Sequence, residues 1–260
     1  MELDPIAVAA GVKLLALDTV GSTNARARLA ALQGESGPLW VTAVAQTAGR
    51  GRLDRSWVSP AGNLYASLLL SDPSPIDRAA ELAFVAALAV RDAVVAEAPA
   101  LASQLRFKWP NDVLLGGAKC AGILIEGERG AGEAARVVVG IGVNCASHPA
   151  TSADRPATDL AEHGAPITPQ ALFRSLSAAM VRRTALWDRG AGIAAIRTDW
   201  LATAHPIGTA IVVRNGGAER RGRFAGLDPT GRLLLETPGG GIERVSAGDV
   251  FAVDPSDERA

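Results

Sequence analysis

The hydrophobic pattern changes kind near residue 205, and one uniform architecture cannot serve both kinds. Before that point, strand-like runs alternate with helix-length apolar segments. After it come only short runs, "TAIVVR", "RRGRFAGLD", "RLLLET", "GIERVSAG" and "DVFAV". The turn signals "NGG", "DPTG" and "PGGG" separate them. Short strands at that spacing predict a small β-barrel of about fifty residues. The chain is therefore expected to divide into a larger unit over 1–204 and a smaller one over 205–260.

In the larger unit, strands are predicted over 12–18, 38–46, 63–70, 105–110, 119–128 and 135–144, with a strand and turn in "DVLLGG". The glycine-rich "GERGAG" suits a hairpin between the last two. Helices are predicted from "GSTN" onward and over 75–98, 169–189 and 190–202. The expected class is α+β, with a mixed, mostly antiparallel sheet flanked by helices. The apolar stretch near 79–98 is broken by Glu81, Arg91 and Asp92, which makes it a buried amphipathic helix and not a membrane span.

The 260 residues carry 26 Lys and Arg against 27 Asp and Glu. A net charge of −1 argues against a dedicated nucleic-acid binder. The start of the chain lacks a positive region followed by an apolar core, so it does not read as a signal peptide. Cys120 and Cys145 form no C-x-x-C, and no histidine stands at metal-ligand spacing from either. Reduced thiols in a cytoplasmic protein are expected, with no zinc site and no resident metal.

Charge is concentrated in "GRGRLDRSW", residues 49–57. Glycines let a backbone approach a ligand closely, and arginine forks match carboxylate or phosphate oxygens in pairs. The loop is either a solvated surface segment or the cradle of a phosphate- or carboxylate-bearing ligand. Without that ligand its charges are expected to lack partners and the loop to be mobile. It is not a P-loop, since G-x-x-x-x-G-K-[ST] is absent, and "GIGVNC" lacks the third glycine of a dinucleotide fingerprint.

Three other stretches can carry chemistry. "KWPNDV" groups Lys108, Trp109, Asn111 and Asp112 around a proline, as a plain turn or as a ligand-facing one. "KCAGILIE" opens with Lys119, which is either solvated or placed to meet developing negative charge. Gly122 in that strand marks a close approach, and Cys120 is a small apolar filler. In "GSTN", Ser22, Thr23 and Asn24 exceed what one helix cap requires and suit a small polar head group.

The pieces "GSTN", "QTAGRGRLDRSW", "NLYASL", "KWPNDV", "KCAGILIE" and "GIGVN", in this order, resemble the biotin protein ligases. The resemblance runs from about residue 18 to 144, and residues 206–254 resemble that family's SH3-like domain. It implies a class II synthetase-like catalytic domain followed by a small SH3-like β-barrel. It also implies a two-step reaction. Biotin and ATP give biotinyl-5′-AMP, with Mg²⁺ assisting. A lysine of a biotin carboxyl carrier protein then takes the acyl group. Fewer than twenty residues precede the first strand, so the form without an N-terminal DNA-binding domain is expected, with no DNA or membrane partner.

Roles follow by resemblance. Ser22, Thr23, Asn24, Gln46, Gly49 and Arg50 would surround the biotin head, with Gly122 and Gly140 leaving room for its ring and chain. Lys119 would stand between the biotin carboxylate and the α-phosphate and, with Arg52, carry the catalysis. Arg52 and Arg55 would hold phosphate, and Trp57 would stack on adenine. Lys108, Asn111, Asp112 and Asn144 would line the nucleotide side, with Asp112 near Mg²⁺. Where the family pattern is closer to G-R-G-R-x-G-R, this chain has Leu53 and Asp54 before Arg55. Weaker loop ordering than in relatives is expected. Two other readings remain: a lipoate or octanoate transferase of related fold, and a ligand-sensing DNA-binding or scaffold protein without turnover.

Overall fold

The computed structural model describes residues 1–53, 55–129, 135–150 and 156–252. It opens with α1 (Pro5–Ala9), capped by the Asp4 carboxylate, followed by β1 (Lys13–Val20), α2 (Thr23–Leu32) and β2 (Leu39–Gln46). Because α2 carries the chain back across the sheet, β1 and β2 pair in parallel. Next come β3 (Leu64–Ser71), a 3₁₀ segment over Ile76–Glu81, and α3 (Leu82–Glu97). Then follow β4 (Leu105–Lys108), β5 (Asp112–Leu115), β6 (Ala118–Arg129) and β7 (Ala135–Val143). These strands form one seven-stranded sheet in the order β1-β2-β3-β7-β6-β5-β4, antiparallel apart from the first pair.

Two helices, α4 (Pro169–Trp187) and α5 (Ile193–Thr203), close the larger unit. The helix predicted over 75–98 is two pieces, because Ile76–Glu81 winds as 3₁₀. Glu81, 5% exposed, ends that piece and accepts from Trp187 Nε1 (2.7 Å) and Arg78 Nε (2.9 Å). Beyond it α3 is not amphipathic: every residue from Leu82 to Val90 is buried. A helix apolar on nearly all faces lies inside, and α3 does, between the sheet and α4.

The last strands are β8 (Ala210–Asn215), β9 (Ala218–Leu227), β10 (Leu233–Glu236), β11 (Ile242–Val245) and β12 (Asp249–Ala252). They make an antiparallel sheet in the order β11-β10-β9-β8-β12, the SH3-like unit. This five-stranded antiparallel sheet fits the small SH3-like β unit expected from the sequence.

The two sheets share one hydrophobic core, which runs from Trp40 and Phe107 to Ile211, Phe224 and Val250. Aromatic rings pack on the larger unit's side of the junction. Phe84 meets Trp200 edge-on at 5.4 Å, and Phe107 stacks on Trp200 at 5.7 Å. Trp109 Nε1 donates to the Gly231 carbonyl (3.0 Å), in the β9–β10 turn. That turn is set by buried Asp228, which accepts from Thr230 N (2.8 Å), Arg232 N (3.0 Å) and Arg232 Nε (2.7 Å). Burial raises the Asp228 pKa, but the Thr230 hydroxyl (2.8 Å) and these hydrogen bonds outweigh it and hold the group down to about 2. No helix among the described residues is long and apolar enough to cross a membrane.

Candidate active site

Strand alternation builds the floor of the site. Asp112 pairs with Gly122, Gly122 with Gly142, and Gly142 with Tyr65; one step along, Leu124 pairs with Gly140 and Gly140 with Ser67. All share one face, because residues two apart on a strand point the same way. Three glycines there leave bare backbone. A Cβ at Gly140 would run into the Asn24 side chain, and one at Gly142 would lie 2.6 Å from the Trp57 indole. A Cβ at Gly122 would stand 3.0 Å from Trp57 and 3.1 Å from Lys119 Nζ.

One wall comes from the start of α2. Ser22 caps the helix, accepting from Ala25 N (3.5 Å). Thr23 donates to Gln46 Oε1 through both its N–H (2.8 Å) and its hydroxyl (3.0 Å). Ser67 Oγ lies 2.8 Å from Thr23 Oγ1 and donates to Asn24 Oδ1 (2.6 Å). Asn24 Nδ2 then donates to Glu126 Oε2 (2.7 Å), so both polar ends of Asn24 are engaged. Gln46 Nε2 meets Ser59 Oγ at 2.9 Å.

The glycine–arginine loop folds over this floor as a small hairpin. Gly51 N donates to Arg55 O (2.7 Å), and Trp57 N to Gly49 O (2.9 Å). Gly49 is required there, since a Cβ would strike the Trp57 carbonyl and lie 2.6 Å from Ser59 Oγ. Leu53 takes a left-handed φ of 54°, unusual for a side chain of its kind. Asp54 lies outside the described residues, as do residues 130–132 of "GERGAG".

The expectation that the loop arginines lack partners is corrected. Arg50 Nη2 donates to Glu126 Oε1 (3.1 Å). Arg55 forms an ion pair with Asp249 at the start of β12. Arg52 Nη1 lies 3.9 Å from Asp249 Oδ1 and 3.3 Å from both Asn111 Oδ1 and the Gly248 carbonyl. Burial pulls the Arg52 pKa down, against the raising influence of Asp249 and Asp112. Carboxylates supplied from elsewhere in the chain stand where the sequence suggested empty charge.

Lys119 sits at the centre, its Nζ 2.5 Å from Asp112 Oδ1 and 5.3 Å from the centre of the Trp57 ring. Lys108 Nζ lies 3.5 Å from the other Asp112 oxygen. Asn111 Nδ2 donates to Ile123 O (2.6 Å), fixing the turn after Pro110. Asn144 Nδ2 donates to Thr158 O (3.0 Å), which ties that segment beside Lys119. Trp57 lies on the Gly122–Gly142 floor with its Nε1 buried and unpartnered.

The structure thus gathers Thr23, Asn24, Gln46, Arg50, Arg52, Trp57, Asn111, Asp112, Lys119, Gly122 and Gly140 around one floor. It adds Ser67, Glu126, Gly142 and Asp249, which sequence reasoning missed. Burial pushes both thiols, Cys120 and Cys145, up to about 12, consistent with apolar fillers. His148, Asp159 and Glu162 form a set of donor groups capable of meeting on a cation, and His148 Nδ1 lies 2.9 Å from Asp159 Oδ2. That set was also not legible in the sequence.

Comparison with known proteins fits this arrangement. A family model described as the biotin/lipoate A/B protein ligase family matches residues 19–144, and the biotin protein ligase C terminal domain matches 207–253. A biotin--[acetyl-CoA-carboxylase] ligase of Paracoccus denitrificans is 43% identical over 236 residues, 88% of this chain and 96% of the relative. The biotin protein ligase of Aquifex aeolicus in complex with biotin and ATP aligns with a TM-score of 0.76 at 25% identity, covering 92% of this chain and 97% of that one. The Leishmania major enzyme in complex with biotinyl-5-AMP aligns at 0.63, with 25% identity over 90% and 99% of the two chains. A mixed sheet carrying the site, followed by the small antiparallel sheet, is the organisation of a protein ligase. The chain belongs to the biotin protein ligase family.

Proposed function

We propose that the chain activates biotin with ATP as biotinyl-5′-AMP and transfers the biotinyl group to a lysine of a biotin carboxyl carrier domain. Its relationship to a biotin--[acetyl-CoA-carboxylase] ligase supports this reading. The observation that carries it is the convergence of Lys119, Arg50 and Arg52 around a floor of three glycines. In the first step a carboxylate oxygen of biotin bonds to the α-phosphorus, and the bond to the β-phosphate oxygen breaks. Both partners are anionic, so fixed cations lower the barrier by matching charge that grows in the transition state. Lys119 exchanges Asp112 for the reacting oxygens, and Arg52 and Arg55 take the phosphates. In the second step the carrier amine bonds to the activated carbonyl carbon, loses a proton, and AMP leaves.

Thr23, Gln46 and Arg50 form the head-group end of the site, with Ser22 at the helix start, Asn24 above Gly140, and Gly49 setting the loop. Gly122 and Gly140 form the floor. Trp57, Lys108, Asn111, Asp112 and Asn144 belong to the nucleotide end. Mg²⁺ enters as part of the ATP substrate. Such a cation commonly uses one or two carboxylates and the substrate's own phosphates. Asp112 offers one carboxylate once Lys108 and Lys119 have turned to the phosphates. Residues 1–204 form the catalytic unit and 205–260 the C-terminal unit. Buried reduced thiols and an ATP-dependent reaction suit a cytoplasmic setting.

The test is pyrophosphate release with biotin, lipoate or octanoate as the sole acid. Release with biotin alone is expected. Release with lipoate or octanoate instead would make the chain a ligase of that acid, and release with none would leave an ATP-independent transferase or a binding protein.

A further inference from the structure

The loop's arginines are held by two acids that lie far from it in sequence and on different sheets. Glu126 stands on β6 of the seven-stranded sheet and Asp249 on β12 of the smaller one. We propose that Glu126 and Asp249 are positioning residues that divide the loop between the two substrates, Glu126 aiming Arg50 at biotin and Asp249 aiming Arg52 and Arg55 at ATP. This rests on the ligase reading above.

Glu126 is itself fixed. Ser67 Oγ donates to Asn24 Oδ1 (2.6 Å), which leaves the Asn24 NH₂ end to face Glu126 Oε2 at 2.7 Å. Arg28 adds a longer contact, 3.9 Å to Oε1. The side chain is 22% exposed, and its other oxygen receives Arg50 at 3.1 Å. A buried hydrogen-bond chain from β3 through α2 therefore ends on the carboxylate that orients Arg50. This chain lies on the Thr23–Gln46 side of the floor.

Asp249 is placed by other means. Gly248 has a φ of +151°, and a Cβ there would lie 2.8 Å from Val213 Cγ1, so β12 starts in close contact with β8. The Gly248 carbonyl and the Asp249 carboxylate then meet Arg52 and Arg55. Arg52 also touches Asn111, on the nucleotide side. A guanidinium has five N–H donors, and a carboxylate occupies one or two of them. Each acid can hold its arginine while the remaining donors face a ligand. Orientation by a fixed partner reduces the ordering cost when substrate binds.

Glu126→Gln and Asp249→Asn separate the two arms. Pyrophosphate release is followed while biotin and ATP are varied in turn. Glu126→Gln is expected to raise the KM for biotin about tenfold and leave that for ATP within about twofold. Asp249→Asn is expected to do the reverse. The charge-keeping variants Glu126→Asp and Asp249→Glu are expected to shift the same constant by less, and they serve if either neutral variant fails to fold. A merely structural acid would lower the folded fraction and so the apparent kcat, without this crossed pattern. Both constants rising together in each variant, or neither moving, would overturn the proposal. If the unmodified chain releases no pyrophosphate with biotin, the ligase reading falls first and takes this assignment with it.

Discussion

The half of the site beside α2 and the half beside β12 are held by different kinds of bond. Beside α2, neutral groups run in a chain from Ser67 through Thr23 to Gln46 and on to Ser59, and of these Ser67, Thr23 and Ser59 are buried. Beside β12, charged groups pair across the junction of two sheets: Lys119 and Lys108 with Asp112, and Arg55 and Arg52 with Asp249. Buried neutral hydrogen bonds are set once the framework packs. Partly exposed ion pairs contribute about 1 kcal/mol or less and weaken with salt. The first half is therefore built by folding, whereas the second is a set of charged pairs whose unused donors can take up an incoming anion.

Lys119→Ala cuts hardest into this contrast, because it removes the central cation of the charged half. Adenylate formation is expected to fall by about 10²-fold or more while the circular dichroism spectrum is kept. Near-normal turnover would remove Lys119 from the mechanism.

Asp228→Asn probes what the charged half stands on, the docking of the smaller sheet through Trp109 and Gly231. The folded pKa of about 2 lies below the usual carboxylate value, so its stabilisation is present at neutral pH and is lost as pH falls through about 4 towards 2. The variant is expected to be about 2 kcal/mol less stable in urea titrations at pH 7. Its difference from the parent should shrink to near zero at pH 2, and a constant gap at all pH would refute the linkage.

Gly142→Ala has the mildest expected effect. The new Cβ would lie 2.6 Å from the indole, so Trp57 must lift from the floor. The emission of Trp57, read against a Trp57→Phe control, should move to longer wavelength. The KM for ATP should rise about tenfold or less. Unchanged emission would show that the loop accommodates the methyl group without opening.

Much of this contrast was legible in the sequence, and unevenly. The order of strands and helices, with only short strands after residue 205, rests on local pattern, and the structure has these elements close to where the pattern puts them. Glu126 carried a faint signal, as an acid two and four residues beyond Leu124 and Gly122 on the glycine face. Asp249 carried none, because its partners lie 194 and 197 positions away and only the docking of the two sheets brings them together. The partners of the loop arginines were misread for the same reason: a charge looks unmatched in sequence when its counter-charge arrives through tertiary packing. The helix over 75–98 was misjudged because Glu81, Arg91 and Asp92 suggested a wet face, whereas Glu81 is turned inward onto Trp187.

The buried thiols have a practical consequence for watching the glycine–arginine loop. Cys120 and Cys145 are the chain's two cysteines, both enclosed and both protonated far above neutral pH. The folded native chain therefore offers maleimide reagents no reactive sulfur. A cysteine introduced at exposed Leu53 would take a dye or spin label alone, and opening and closing could be timed without first stripping the protein of its own sulfur chemistry.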